Sequence, residues 1–445
     1  MAKGSELIPS ARRLVTSLRD LGYEFAPAVA DLVDNSIEAA ATQIDVFIQF
    51  AGDDSWVRIA DNGKGMTGAR LLEAMRYGSE RNYAEDDLGK FGLGMKTASM
   101  SQCQRLTVAS RPKSSGKLGA FSWDLEHIQK TNKWEVLPVG QDALPVPVQD
   151  AFEQGHRTVI LWEQLDRILG YKHPYGEAAR KQLAQMCREV EEHLSMVFHR
   201  FLSGEAKSRR IKIRLNGNPL EPWDPFCRSE RRTRKLQARS IPVEHNDVSG
   251  EVAFEPFLVP HQNRFSTVEA HEKAAGPRKW NRQQGFYIYR ADRLIQSGGW
   301  SGLRTQDEHT KLARVALSFN PKLDEAFKIN VAKMRVQLPV QLRPELERLL
   351  TTVIREADSE YRTAGSSAQQ GSPASSGRGS AATGNGSPAS AGAGQSATTA
   401  SGPTEEEPRF TVRELLEHLL SVANPGEQAV LREVFKRFKG RATQK

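Results

Sequence analysis

The sequence predicts an α/β protein made of two α/β units, a flexible linker and a small helical unit. The length of 445 residues leaves room for two or three domains at about 150 residues each. Before residue 364, helical patterns alternate with short segments rich in β-branched and aromatic residues, which is typical of α/β folds. Residues 364–403 are almost entirely small or polar residues and proline. Such a segment buries too little apolar surface to become ordered, so it predicts a tether.

In the first unit, a helix is predicted over residues 27–41, strands over 44–50 and 56–60, and a long helix over 176–202. The second unit covers residues 207–361. It contains a strand over 211–215 that turns at Asn216 and Gly217, and a strand over 285–290 that turns near 291–292. After the linker, residues 410–439 predict a helical hairpin, which begins at a capping box of Thr411 and Glu414. A hairpin this small requires a partner surface or self-association.

The charge, the cysteine spacing and the apolar segments of the chain exclude several classes of protein. The chain has 62 basic and 54 acidic residues, a formal charge of +8, which mildly favours polyanionic partners. Its three cysteines lie far apart without a CxxC pair, which argues against a disulfide framework or a zinc site and favours a reducing compartment. No segment approaches eighteen apolar residues, and the first residues lack the apolar core of a signal peptide. We therefore expect a soluble intracellular protein that does not contact a membrane.

The helix over residues 27–41 carries a polar stripe. Asp31, Asn35 and Glu38 share one face at 3.6 residues per turn, while apolar residues occupy another. An asparagine amide oxygen can coordinate a hard cation, and a carboxylate one turn away can orient water. The alternative is the solvated face of an ordinary amphipathic helix.

A second motif ends the strand over residues 56–60, where Asp61 is followed by Gly63, Gly65 and Met66. These residues are typical of a turn. Alternatively, the Asp61 carboxylate accepts a hydrogen bond from the amino group of adenine, which guanine does not have at that position. Thr158 opens a later strand and is structural in most such cases, unless its hydroxyl joins Asp61 and the base through water.

A third motif is rich in glycine and leads into a predicted helix over residues 95–102. It is not a Walker A loop, because Met95 separates the second glycine from the lysine. Backbone N–H groups at such a helix start can bind phosphate, and the polar residues 76–88 before it are typical of a mobile lid. The alternative is an ordinary loop-to-helix junction. The candidate residues are Gly89, Lys90, Phe91, Gly92, Leu93, Gly94, Met95 and Lys96.

Taken together, the motifs resemble those of the GHKL ATPases, which include gyrase B, the ninety-kilodalton heat-shock chaperones, histidine kinases and MutL. Residues 31–35 resemble the N-box, 61–65 the DxGxG box and 92–96 the GxGxK box. The nearest resemblance is to MORC and MORC-like prokaryotic proteins, on residues 34–39, 92–99 and 285–295. It implies a Bergerat fold, a two-layer α/β sandwich, over residues 1–205, a transducer-like α/β domain over 206–363, the linker over 364–403 and the helical unit over 404–445.

The resemblance also implies roles for the site residues. Asn35 would hold Mg²⁺, Asp61 would recognise the adenine of ATP, and the glycine-rich segment would close over the phosphates. Lys333 would contact the γ-phosphate, with Lys328 as the alternative. Asp31 stands where the family usually has a glutamate base. Because aspartate is one methylene shorter, we expect either a closer water or very slow hydrolysis, and Glu38 is a second candidate base.

The function implied is Mg²⁺-dependent ATP binding and slow hydrolysis that drive homodimerisation of a DNA-associated clamp of MORC or MutL type. The alternative is a dimerisation switch or chaperone-like interaction module with negligible hydrolysis. A histidine kinase is disfavoured, because only thirty residues precede Asp31.

Basic runs at residues 207–214 and 228–239 predict contacts with double-stranded DNA, or are solvated loops. The carboxy-terminal unit is expected to bind DNA, an unidentified protein partner or its own copy. The expected location is cytoplasmic, including the nucleoid, or nuclear in a eukaryote.

Overall fold

The computed structural model describes residues 8–20, 23–78, 94–114, 116–170, 172–246, 248–276, 279–329 and 336–369. The chain divides into two compact units, residues 1–373 and 374–445, and every described residue belongs to the first. The predicted carboxy-terminal hairpin and residues 370–403 of the predicted linker lie outside the described residues. Among the described helices, none combines the length and apolar character that crossing a bilayer requires.

Eight described strands form the first sheet, in the order β5-β4-β3-β6-β2-β1-β7-β8. Neighbouring strands are antiparallel except for β1 and β7. The strands are β1 (Gln43–Gln49), β2 (Trp56–Asp61), β3 (Arg105–Ser110), β4 (Gly119–Asp124), β5 (Leu137–Pro138), β6 (Thr158–Glu163), β7 (Lys212–Leu215) and β8 (Asn218–Pro219).

Helices cover the first sheet. Eight described helices precede its strands or lie between them in the sequence: α1 (Ala11–Arg19), α2 (Phe25–Glu38), α3 (Gly68–Met75), α4 (Gly94–Met100), α5 (Leu125–Thr131), α6 (Val146–Glu153), α7 (Glu177–Val197) and α8 (His199–Ser203). Helix α2 packs against α4 and α7, and eleven of its fourteen residues are buried. A helix apolar on nearly all sides is stable only when enclosed, which explains its run of alanines and valines. Helix α6 packs on β2 and β6, within a smaller core of its own.

The second sheet has the strand order β10-β11-β14-β12-β13, with β9 paired to β11. Helix α11 packs against β11 and β14, and its apolar residues complete a separate core. Two short helices, α9 (Val268–Ala275) and α10 (Lys279–Gln283), precede β12. The remaining elements are β9 (Arg234–Lys235), β10 (Arg239–His245), β11 (Val248–Leu258), β12 (Gly285–Arg290), β13 (Arg293–Ser297), β14 (Ala313–Phe319) and α11 (Arg343–Gln369).

The predicted α/β class is confirmed, with three differences of detail. The strand expected in the second unit forms as β7 but pairs in parallel with β1, so it belongs to the first sheet. The helix predicted over 176–202 is interrupted at Phe198, between α7 and α8. Helix α11 continues to Gln369, six residues into the predicted linker, because alanine, serine and glutamine still permit helix extension.

Candidate functional site

Helix α2 carries the first group of predicted site residues. Val29 and Val33, on its apolar face, are fully buried. The Asp31 side chain is buried as well and is only 3 % exposed. Asn35 and Glu38 are half-buried farther along the helix. The side-chain amide of Asn35 makes no hydrogen bond to any described residue, so its oxygen can accept a ligand.

The Asp31 carboxylate is held from two directions. The hydroxyl of Tyr23 donates a hydrogen bond to Oδ2, and a guanidinium nitrogen of Arg293 lies 3.4 Å from Oδ1. The same guanidinium lies 2.7 Å from the carboxylate of Asp34, which is fully buried. Burial and the Asp31 carboxylate raise the pKa of Tyr23, so this phenol stays protonated and remains a donor.

Asp61, the last residue of β2, lies against α2. Its Oδ1 accepts a hydrogen bond from the Gly63 backbone N–H at 2.8 Å, and its Oδ2 accepts one from the Ser36 hydroxyl at 3.1 Å. Burial raises the pKa of Asp61 to about 6, although both donors act to lower it. A carboxylate offers about four acceptor positions, so Asp61 retains acceptor capacity for a donor such as an exocyclic amine.

The segment after Asp61 packs closely against the backbone of two neighbouring segments. A side chain at Gly63 would meet the carbonyl oxygen of Ala39 at 2.6 Å. Gly65 has a φ of +66°, and a Cβ there would lie 2.1 Å from the carbonyl oxygen of Arg111. Neither position therefore accepts a larger residue, and the chain can follow this path only with glycine.

Met66 and Thr158 are connected near this end of β2 by the side chain of Ser110. The Met66 N–H donates to Ser110 Oγ at 2.9 Å, and that hydroxyl lies 3.0 Å from Thr158 Oγ1. Thr158 stands directly opposite Asp61 in the antiparallel pair of β2 and β6. Its predicted water bridge to Asp61 stays a prediction. Among the described residues, the Thr158 hydroxyl has Ser110 as its direct partner.

Helix α4 brings part of the glycine-rich motif to the same place. A Cβ at Gly94 would find Asp31 Oδ2 as its nearest neighbour, at 3.7 Å. Lys96 is buried, and its ammonium donates to the carbonyl oxygen of Ala74 at 3.0 Å. Burial lowers the pKa of Lys96 to about 8. Half-buried Met95 packs against the core of the first sheet.

Several predicted residues cannot be placed. Lys333 and residues 79–88 of the predicted lid lie outside the described residues, whereas Lys328 is described and has a φ of +46°. The glycine-rich residues Gly89, Lys90, Phe91, Gly92 and Leu93 also lie outside them.

The described residues fit a magnesium nucleotide. Asn35 presents an amide with no hydrogen-bond partner in the part of the chain that the structure describes, and the buried Asp61 presents an acceptor that lies beside α2. Across the described ranges, no three His, Cys, Asp or Glu side chains form a group that could hold a metal ion. Magnesium commonly takes its ligands from one or two protein oxygens, substrate phosphates and water, so a site built around one amide is compatible with it.

Sequence reasoning missed Tyr23, Ser36, Ser110 and Arg293. Ser36 adjoins Asn35 and could have been identified by its position on α2. Arg293 lies in the segment 285–295 that carried the resemblance, but nothing in that segment indicates which distant residue it contacts.

Comparison with known proteins agrees with this geometry. Residues 23–158 match the family described as "Histidine kinase-, DNA gyrase B-, and HSP90-like ATPase". This match begins at Tyr23 and ends at Thr158, and so covers α2, β2 and α4.

Similar curated proteins are each a "DNA mismatch repair protein MutL". The protein from Azorhizobium caulinodans is 39% identical over 94 residues, 20% of this chain and 15% of that protein. The protein from Edwardsiella ictaluri is 27% identical over 223 residues, 49% of this chain and 31% of that protein. The protein from Salmonella arizonae is 25% identical over 239 residues, 50% of this chain and 34% of that protein.

This chain thus spans about a third or less of the length of each of those relatives. Closeness to MORC proteins stays a prediction. The family match, together with the MutL similarity, identifies the segment from residue 23 to residue 158 as a domain of the GHKL ATPase superfamily.

Proposed function

We propose that the protein binds ATP with Mg²⁺, hydrolyses it slowly, and uses the bound nucleotide to control homodimerisation. The observation that carries the proposal is the buried Asp61 carboxylate beside the amide-bearing helix α2, with Ser36 joining the two at 3.1 Å. A buried acceptor at a strand end, with a pKa raised to about 6, is costly unless a ligand uses it.

Each residue has a distinct task in this proposal. Asp61 accepts a hydrogen bond from the adenine amine, and the Asn35 amide oxygen would hold Mg²⁺. When bound there, Mg²⁺ would supply positive charge against the triphosphate. Asp31 orients the attacking water, and Gly94 at the start of α4 lets the phosphates approach the backbone. Lys333 contacts the γ-phosphate, with Lys328 as the alternative.

The proposal extends to the second sheet, which would act as a transducer-like domain of MORC or MutL type. It follows β8 directly and holds the segment 285–295 on β12 and β13. Nucleotide-dependent closure favours the dimer only through contacts made in the closed state alone. The relatives named as mismatch repair proteins support a clamp that acts on DNA.

A switch with negligible hydrolysis is the second candidate function. Asp31 supports it, because its side chain is shorter than that of glutamate and both carboxylate oxygens have partners within the protein. Binding and dimerisation do not require Asp31 to act as a base, so both would survive without turnover.

Replacing Asp61 with asparagine tests the proposed function. The amide retains an acceptor oxygen for the Gly63 N–H, so the fold should persist, but it also presents a donor toward the adenine amine. We expect the affinity for ATP to fall by about 1–3 kcal/mol, about 5- to 150-fold, and the preference for ATP over GTP to disappear. Calorimetry with both nucleotides measures the two effects.

The pH dependence provides a matched control. Because the pKa of Asp61 is raised to about 6, wild-type affinity should decrease as the pH falls through about 6 and the acceptor becomes protonated. The Asp61→Asn variant should lack that component. Equal ATP affinity and equal pH dependence in the two proteins would refute adenine recognition by Asp61.

Several basic residues of the proposed DNA surface have carboxylate partners within the protein. In the run 207–214, Arg214 forms an ion pair with the buried Asp45, and the strand it lies on belongs to the first sheet. In the run 228–239, Arg228 pairs with Glu205 and Asp224, Arg234 with Glu356 and Lys235 with Glu255. Arg231 and Arg232 are exposed and form no ion pair with any described residue.

Neutralising Arg231 and Arg232 to glutamine should therefore weaken DNA binding without breaking an internal ion pair. Two lost phosphate contacts should decrease the salt dependence, the slope of log affinity against log salt, by about 1 to 2. Anisotropy titrations with a labelled duplex at several salt concentrations measure this slope. Arg12 and Arg13, two consecutive exposed arginines of α1, provide a control pair. If replacing either pair has the same effect, the result contradicts a specific DNA surface at 231–232.

A further inference from the structure

Arg293, the first residue of β13, reaches from the second sheet into helix α2. Its side chain is 3 % exposed, and its guanidinium lies 2.7 Å from the Asp34 carboxylate and 3.4 Å from that of Asp31. The cation also lies 5.9 Å from the ring centre of Phe198, at the break between α7 and α8. One arginine fork thus spans two buried carboxylates one turn apart on the same helix.

The turn that presents Arg293 is itself fixed to the region of the first sheet. Asp292 accepts hydrogen bonds from the Arg200 guanidinium at 3.2 Å and from the Lys207 N–H at 2.9 Å. Both Ala291 and Asp292 have positive φ values, of 46° and 66°, which are typical of a tight two-residue hairpin turn. The position of the guanidinium is therefore set by the hairpin and by its contacts with α8.

We propose that Arg293 is a positioning residue through which the second sheet holds the Asp31 carboxylate for catalysis. The inference rests on the proposed function, since it assumes that Asp31 orients the attacking water. Tyr23 holds one oxygen of the carboxylate and Arg293 lies against the other, so rotation of the short side chain is restricted from both sides. The second sheet therefore contributes a residue, Arg293, that positions a side chain of the catalytic site.

Lysine is the informative replacement at this position. It keeps the positive charge that the buried Asp34 requires, so the protein should fold. Its ammonium is a single point and cannot span both carboxylates as the planar guanidinium does.

The same hairpin offers a matched control. Arg290, at the end of β12, makes an equally buried two-point pair with Asp324, at 2.7 and 2.9 Å. Both partners belong to the region of the second sheet, so Arg290→Lys removes a similar fork without touching α2.

The experiment compares full-length wild type, Arg293→Lys and Arg290→Lys. We measure the affinity for a non-hydrolysable ATP analogue by calorimetry, kcat and KM for ATP hydrolysis, and hydrogen–deuterium exchange of residues 25–38. Arg293→Lys should lower kcat by about tenfold or more, as expected for a displaced base, with KM and analogue affinity within about threefold. Its α2 peptide should exchange faster than in wild type, whereas Arg290→Lys should retain wild-type kcat and wild-type exchange in α2.

Equal losses of kcat in the two variants, or a larger change in KM than in kcat for Arg293→Lys, would overturn the inference. A wild type that binds the analogue but releases no phosphate would also overturn it, while leaving ATP binding intact. A wild type that does not bind the analogue at all would instead refute the proposed function.

Discussion

Replacing Asp31 with asparagine is expected to lower kcat for ATP hydrolysis by about 10²- to 10⁴-fold, the usual contribution of a general base. The affinity for ATP should remain within about threefold, because Asn35 and Asp61 make the binding contacts in the proposed site. Asparagine has nearly the same shape and keeps an acceptor for Tyr23 or Arg293, so a large loss of stability is not expected. Phosphate release under single-turnover conditions, with calorimetric binding of ATP, measures both quantities.

Glu38→Gln provides the matched control for Asp31→Asn. Glu38 lies two turns farther along the same helix and is the second candidate base. If Asp31→Asn keeps its turnover and Glu38→Gln loses it, the base is Glu38. If wild type itself releases no phosphate over hours, with or without DNA, the dimerisation switch is the correct function.

Replacing Asn35 with alanine should abolish the Mg²⁺-dependent part of ATP binding. Loss of outer-sphere partners alone costs about 10- to 100-fold in metal affinity, so loss of a direct ligand should cost about 100-fold or more. In wild type, a non-hydrolysable analogue with Mg²⁺ should shift the protein to a dimer on a sizing column, whereas the variant should remain monomeric.

The specificity of the Asn35 effect is tested by removing the metal. With a chelator present, wild type and Asn35→Ala should bind ATP equally weakly, because the amide then has no cation to hold. An Asn35→Ala protein that binds Mg²⁺-ATP as tightly as wild type would contradict the assignment of Asn35 as the metal ligand.

Local patterns account for the elements that form the candidate site. The β-branched and aromatic runs predicted β1, β2 and β12 almost to the residue, and the spacing of apolar residues predicted α2. Glycine at positions 63 and 65 was identified from turn chemistry, and the structure gives the reason, since backbone atoms lie where a Cβ would be. These features depend on neighbours along the chain, which the sequence displays directly.

Contacts between segments that lie far apart in the chain were harder to predict from the sequence. Helix α6 covers the second face of the sheet near β2 and β6, but its sequence does not indicate which surface it covers. The basic run 207–214 looked like a DNA-binding surface, yet Arg214 is required beside the buried Asp45. A charged residue has the same appearance in the sequence whether its partner is a phosphate or a carboxylate of the same chain.

The sequence by itself determined the α/β class, the helix with Asp31 and Asn35, the strand end at Asp61 and the glycine-rich approach to α4, because each is set by short-range periodicity and steric demands. Only the tertiary structure decided that β7 joins the first sheet and that Arg293 meets Asp31, 262 residues away along the chain. Such contacts depend on how the whole chain buries its apolar faces. Which buried cation approaches which carboxylate is therefore fixed only when the two sheets and their helices have packed.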